Sequence, residues 1–168
     1  MSQSVNTIRL LQQSLQMTVG EGAFCIDATA GKGNDTLFLA RLVGESGKVL
    51  AMDIQPEAIE AAKNKLEEND ILQRVKLVLD GHENIMQYAE PESVDAIMFN
   101  LGYLPGGNHN IATKADTTIK ALEQSLLLLK PRGIISLAIY HGGDTGFEER
   151  DAVLSWLKGL DCKRYTVL

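Results

Sequence analysis

Five short apolar runs divide the chain: "AFCID" at 23–27, "KVLAMD" at 48–53, "VKLVL" at 75–79, "VDAIMFN" at 94–100 and "IISLAIY" at 134–140. Each is nearly continuous in hydrophobicity, the pattern of strands covered on both faces. The stretches between them place apolar residues three and four apart, which predicts amphipathic helices. Phe38, Leu39, Leu42 and Val43 form one stripe. Ala58, Ala62 and Leu66 form the next, behind a Pro56 suited to a first helical turn. A third runs through Ala115, Ile119, Leu122, Leu126 and Leu129 and is ended by "KPRG"; a last carries Val153, Leu154, Leu157 and Leu160. Residues 1–19 predict one more helix, with Val5, Ile8, Leu11 and Leu15 at helical spacing.

Strand–helix alternation of this regularity predicts a doubly wound, Rossmann-like, mostly parallel α/β sheet. Right-handed crossovers then gather the carboxyl ends of the strands on one edge, where ligands bind. With 168 residues and no linker, repeat or low-complexity tract, the expectation is one domain spanning 1–168.

Composition narrows the function classes. No apolar run approaches the roughly 20 residues of a membrane-spanning helix, and the N-terminus lacks the features of a secretory signal. Cys25 and Cys162 make no disulfide framework, and no Cys/His cluster has zinc-site spacing, so neither a metal nor a membrane is expected and the cytoplasm is the default. The net charge of −6 argues against gripping a polyanion over a broad surface. A nucleic-acid contact would be local, transient or shared across a homodimer, with Lys130, Arg132, Lys163 and Arg164 as candidate contributors.

The chemistry concentrates in "CIDATAGKGNDT", 25–36, where Gly31 and Gly33 follow a strand ending in Asp27 and open a helix. Asp53 closes the second strand 22 residues after Gly31, the distance at which an acid commonly holds ribose hydroxyls. A dinucleotide fingerprint would need a third glycine where Thr36 stands, and a carboxylate at Asp27 would repel a pyrophosphate. An amino-acid ammonium suits that carboxylate instead. S-adenosylmethionine offers such an ammonium for Asp27, a carboxylate for the N–H groups of the turn, and a ribose for Asp53. Thr29 and Asn34 within the turn, and Gln55 beside Asp53, complete the candidate cofactor set. Asp35 and Thr36 read as residues that begin the helix, and Cys25 reads as core.

The D-x-x-x-G-x-G turn of Asp27, Gly31 and Gly33, together with Asp53, resembles the first motif and ribose-binding acid of class I methyltransferases. "LDGH" at 79–82 and "FNLGYLPGGNH" at 99–109 follow the third and fourth strands, where that superfamily holds the adenine and its substrate-facing motif. More narrowly, "DATAGKGNDT", "MDIQ" at 52–55, "NLGYLPGG" and "YHGG" at 140–143 together resemble a bacterial group described as rRNA methylases. Members of that group methylate 5-aminomethyl-2-thiouridine at the wobble position of tRNA.

The resemblance implies the class I architecture, S-adenosylmethionine as cofactor and the anticodon region of tRNA as partner. It implies that Asp80 and His82 lie beside the adenine. Asn100 would orient a nitrogen nucleophile next to the cofactor, and Tyr103 would stack on the acceptor. The prolines of the related N-P-P-[YFW] loop are replaced here by Leu101 and Gly102. His109 and His141 stand in Gly-rich loops on the ligand edge and are expected to line the acceptor pocket, with the general base unassigned. Class I sheets usually end in a sixth strand and a seventh, antiparallel one; "KRYTVL" at 163–168 is the candidate sixth, which leaves either a truncated chain or a sheet completed differently. Other acceptors stay open: a small molecule, a protein or rRNA. A non-catalytic cofactor binder and, last, an NAD-dependent dehydrogenase complete the alternatives.

Overall fold

The computed structural model describes residues 7–102, 113–140 and 146–168. Five strands, β1 (Phe24–Asp27), β2 (Lys48–Asp53), β3 (Val75–Leu79), β4 (Val94–Leu101) and β5 (Leu129–Ile139), alternate with helices α2 (Asn34–Leu42), α3 (Pro56–Glu68) and α4 (Ala115–Leu128). Helix α1 (Thr7–Thr18) precedes them and α5 (Phe147–Lys158) follows. Every pairing is parallel and the order is β3-β2-β1-β4-β5. The chain thus winds outward from β1 in both directions, and the gap between β1 and β4 is the topological switch point.

Two cores follow from the two-residue period of the strands. Cys25, Val49, Ala96 and Met98 point to one face, where Leu15 of α1, Leu39 and Ala40 of α2 and Leu66 of α3 meet them. Ile26, Leu50, Ile97 and Phe99 point to the other, against Leu122 of α4, Val153 of α5 and Ile85 of the short 3₁₀ segment His82–Gln87. Apolar runs were needed on both faces because helices cover both. Cys25 is buried as expected for core, and that burial pushes its thiol up to about 12. Among the described residues, no helix is long and apolar enough to cross a membrane, and no group of three or more His, Cys, Asp and Glu side chains could hold a metal.

Two expectations at the carboxyl-terminal end need correction. "KPRG" does not separate α4 from a later strand: β5 begins at Leu129, immediately after the helix. Leu129 pairs with Val94, and Ile134 next pairs with Ala96, so residues 130–133 buckle out of the ladder, with Arg132 at φ 70°. Residues 163–168 form no strand. The candidate sixth strand is therefore not part of the sheet, which has five strands among the described residues.

Between β1 and α2 the chain turns through Gly33 at φ 74°. An added Cβ would lie 2.8 Å from the Ala62 Cα and 3.0 Å from its Cβ on α3. Both the left-handed backbone and the contact with a neighbouring helix exclude a side chain. Gly33→Ala is expected to destabilise the fold by about 2–3 kcal/mol, readable as a lowered urea midpoint at unchanged slope.

Candidate active site

All five strands end on one edge, and residues at or just beyond those ends line a cleft of about 380 Å³. The β1 end contributes Thr29 and Gly31, β2 Asp53 and Gln55, β3 Asp80 and His82, β4 Asn100, and β5 Tyr140. The amino ends of α2 and α4 add Asn34, Asp35, Thr113, Lys114 and Thr117.

Asp53 ties two loops together. Its Oδ2 accepts the Gly31 N–H at 2.9 Å, and its Oδ1 accepts the Gln55 N–H at 2.9 Å. Gly31 lies at φ 49°, a conformation open to glycine at little cost. Helix α2 begins at Gly33 with no side-chain cap, which leaves its first N–H groups and the positive end of its dipole to serve an anionic group. Asn34 faces the cleft, and its side-chain oxygen accepts from Lys65 Nζ.

On the β3 side, Asp80 is an acceptor hub. It takes the Tyr88 hydroxyl at 2.7 Å, the Asn84 amide at 2.9 Å and the Gly81 N–H at 2.7 Å. The Tyr88 and Asn84 hydrogen bonds hold its carboxyl below the usual carboxylate range. His82 is only 8% exposed and sets its ring edge-on to Phe99, with centroids 5.9 Å apart. Burial lowers its pKa, which keeps the ring neutral, and it also hydrogen-bonds the Ala28 backbone. Its Nε2 is buried with no hydrogen-bond partner among the described residues, although the residue lines the cleft. A buried orphan of this kind calls for a ligand atom or an ordered water.

At the β4 end, the Asn100 backbone N–H donates to Thr29 Oγ1 at 2.8 Å. Its side-chain Nδ2 donates to Asp35 Oδ2 at 2.8 Å, and Gln12 Nε2 of α1 donates to the other Asp35 oxygen at 2.9 Å. Gly102 and Thr113 meet there: Thr113 N–H donates to the Gly102 carbonyl, and Gly102 N–H donates to Thr113 Oγ1, both at 3.0 Å. The hydroxyls of Thr113 and Thr118 then donate to buried Glu149 of α5 at 2.7 and 2.6 Å.

Of the expected site residues, Thr29, Gly31, Asn34, Asp53, Gln55, Asp80, His82 and Asn100 line the cleft. Tyr103, His109 and His141 lie outside the described residues. Asp27 and Gly33 differ from expectation. Gly33 serves the close packing on α3 and is not at the cleft wall. Asp27 is fully buried beneath the turn, its oxygens accepting the Thr36 hydroxyl at 2.6 Å and the Thr29 N–H at 3.2 Å. It is not among the lining residues, and its hydrogen bonds pin the turn from below. Thr36, read from sequence as a helix starter, is the buried partner that makes this possible.

The candidate basic residues change as well. Lys130 and Arg132 sit at the start of β5, on the edge opposite the cleft, and Lys130 pairs with Asp95 at 2.8 Å. The lysines at the cleft are Lys32, inside the glycine turn, and Lys114, at the start of α4. Asp35 and Tyr140 are further lining residues that the sequence reading left out. Asp35 was hidden because short acids open helices everywhere, and Tyr140 because it closes an apolar run. Desolvation pushes the Tyr140 phenol above its ordinary value, and the nearby Asp35 charge adds to this.

The arrangement has the parts for a nucleoside-bearing amino-acid cofactor such as S-adenosylmethionine. Asp53 is placed for ribose hydroxyls, the uncapped α2 terminus for a carboxylate, and the orphan His82 Nε2 for a donor on a base. A pyrophosphate would meet the carboxylates of Asp35, Asp53 and Asp80 along the same cleft.

The chain is similar to proteins described as methyltransferases. A structure from Clostridium thermocellum described as a putative rRNA-methylase superposes with a TM-score of 0.92 at 48% identity, covering 96% of this chain and 87% of that one. A putative methyltransferase from Streptococcus mutans, solved in complex with SAH, gives 0.88 at 37% identity, covering 100% and 89%. The chloroplastic tRNA (mnm(5)s(2)U34)-methyltransferase of Arabidopsis thaliana is 40% identical over 154 residues, 86% of this chain and 56% of that protein. The ribosomal RNA small subunit methyltransferase H of Halothermothrix orenii is 31% identical over 94 residues, 55% of this chain and 30% of that one. The chain spans about half the length, or less, of these two curated relatives. The family model described as "Putative rRNA methylase" matches residues 49–168, most of the chain, and the protein belongs to that family.

Proposed function

We propose that this protein is an S-adenosylmethionine-dependent methyltransferase that methylates the amine nitrogen of 5-aminomethyl-2-thiouridine at the wobble position of tRNA. The observation that carries the proposal is one cleft holding both Asp53, a ribose-binding acid by position, and Asn100, an amide at the substrate-facing strand end. The relative from Arabidopsis thaliana, whose name states that acceptor, supports the choice of substrate.

The cofactor, when bound, supplies an activated methyl group. The chain's own tasks are to bind, orient and exclude water. Asp53, Gln55, Gly31 and Asn34 hold the ribose and amino-acid portions; Asp80 and His82 hold the base. Asn100 orients the acceptor nitrogen, a task in which the sequence expects Tyr103, His109 and His141 to share. Partial desolvation of the aminomethyl group between these walls favours its neutral, nucleophilic form. Lys32 and Lys114 offer positive charge to the phosphates flanking the acceptor nucleotide, a local grip in a chain whose net charge is −6. A homodimer acting in the cytoplasm would add a second such grip. Light scattering with tRNA bound that finds monomers would remove the dimer.

Nucleoside mass spectrometry of tRNA from a deletion strain tests the substrate. Loss of the methylated wobble nucleoside, with build-up of its 5-aminomethyl precursor, is expected. Unchanged tRNA with a lost methyl group in rRNA would support the alternative acceptor that the family description names. Unchanged RNA of both kinds would leave a small-molecule acceptor, whose binding lacks the steep salt dependence of a polyanion.

A further inference from the structure

We propose that Asp35 is a positioning residue that fixes which end of the Asn100 amide faces the acceptor nitrogen. The inference rests on the assignment of Asn100 to the acceptor site. It starts from a constraint on hydrogen-bond polarity: a carboxylate accepts and does not donate, whereas a side-chain amide has one accepting and one donating end. Asp35 Oδ2 lies 2.8 Å from the Asn100 side-chain amide. The end of the amide that meets it must therefore be the NH₂ group, and the carbonyl Oδ1 is left for the cleft that both residues line.

The consequence is chemical. An amine nucleophile attacks through its lone pair while its N–H groups look for acceptors. An amide oxygen accepts one of those N–H groups and leaves the lone pair free. A flipped amide would instead donate into the lone pair and hold it back from the methyl carbon. Asp35 removes the flipped state. It is itself held by two elements: it occupies the first turn of α2, and Gln12 of α1 donates to its other oxygen at 2.9 Å. The Asn100 backbone is fixed separately, through its N–H to Thr29 Oγ1, so Asp35 governs the rotation of the amide and not the placement of the strand end.

The role predicts a specificity rule. Acceptors must carry an N–H or O–H beside the attacking lone pair, and a tertiary amine at the same place would find no partner for the Asn100 oxygen.

Three measurements on the full chain test the assignment. In kinetics with S-adenosylmethionine and tRNA from the deletion strain, Asp35→Ala should lower kcat by about 10- to 100-fold, with cofactor affinity within about threefold of wild type. Asp35→Asn, whose own amide presents an acceptor in one orientation and a donor in the other, should recover only part of kcat, with an unmoved pH profile. In the Asn100→Ala background, Asp35→Ala should cost nothing further, because its effect travels through Asn100. Equal losses in Asp35→Ala and Asp35→Asn, with a shifted pH profile, would overturn the proposal in favour of a charge or base role. An undiminished penalty in the Asn100→Ala background would overturn it as well.

A readout without an acceptor separates this inference from the choice of substrate. The side-chain NH₂ resonances of Asn100, assigned by their loss in Asn100→Ala, should move on Asp35→Asn and stay fixed on Lys32→Gln. If wild type fails on tRNA while these resonances behave so, the substrate is wrong and the positioning role stands. If they ignore Asp35, the positioning role falls whatever the substrate.

Discussion

Asp53→Ala should weaken S-adenosylmethionine binding by about 100-fold or more, measured by calorimetric titration against a folded-state check by circular dichroism. The size follows from what the carboxylate does in the ligand-free protein. Its two oxygens accept the N–H groups of Gly31 and Gln55, one from each of the loops that form the cofactor wall. Hydrogen bonds to a charged acceptor contribute about 1.5–3 kcal/mol each, and 1.4 kcal/mol is tenfold in affinity. Alanine removes both clamps and the group placed for the ribose. Asp53→Asn should fall between the two, since its amide presents one acceptor and one donor where two donors approach. The thermal midpoint should fall as well, because both clamps are made in the ligand-free fold, so the titration is run well below it. If alanine left affinity within threefold of wild type, the cofactor would have to lie elsewhere.

The second large effect is on stability and belongs to Asp27. Burial beneath the glycine turn raises its carboxyl from 3.8 to about 7, with further upward pressure from the charges of Asp35 and Asp53, while the Thr36 hydroxyl and Thr29 N–H pull it down. The unfolded chain, with a pKa near 3.8, binds fewer protons at this site than the native chain between about pH 4 and 7. Stability from this residue is therefore fully present below the unfolded value and is lost as pH rises through about 7. The shift of about three pH units corresponds to about 4 kcal/mol. Asp27→Asn keeps the shape and removes the titration. The unfolding free energy of wild type minus that of Asp27→Asn should fall by about that amount between pH 4 and pH 7.5, read from urea melts across the range. Taking the difference cancels the surface carboxylates, whose own titration acts in the opposite direction. Two parallel curves would mean that the buried carboxylate is better solvated than its geometry states.

This residue also shows where reading a sequence ends. An acid closing β1 was legible, and so was its unsuitability for a pyrophosphate. Its direction was not, because whether a side chain at a strand end faces the ligand or the turn beneath depends on the path of the next nine residues. Thr36 returns to it from α2 with a 2.6 Å hydrogen bond, and together they fill the space below the turn. Gly33 has the same history. Its presence in the turn was read correctly and its reason was not: Ala62, on a helix two elements later, sets the requirement.

The first four strands matched their apolar runs to within one residue at each end, because a strand buried on both faces must be apolar throughout and polar turn residues bound it sharply. The fifth did not. Pro131 and Gly133 interrupt the hydrophobic pattern, yet the ladder resumes across them at Ile134 opposite Ala96. A break in local propensity ends an element only when no partner strand is waiting on the far side.

By itself, then, the sequence determined the alternation of strands and helices, the edge on which the chemistry lies, and the identity of eight of the residues that line it. These follow from local periodicity and from short motifs whose residues are neighbours in the chain. The tertiary structure alone decided that Asp27 lies under the turn, that His82 Nε2 is buried with no partner among the described residues, and that Asp35 meets Asn100 from 65 residues away. Each depends on which elements the parallel sheet brings side by side, and the direction of a hydrogen bond across such a junction is set by packing, which no run of neighbouring residues encodes.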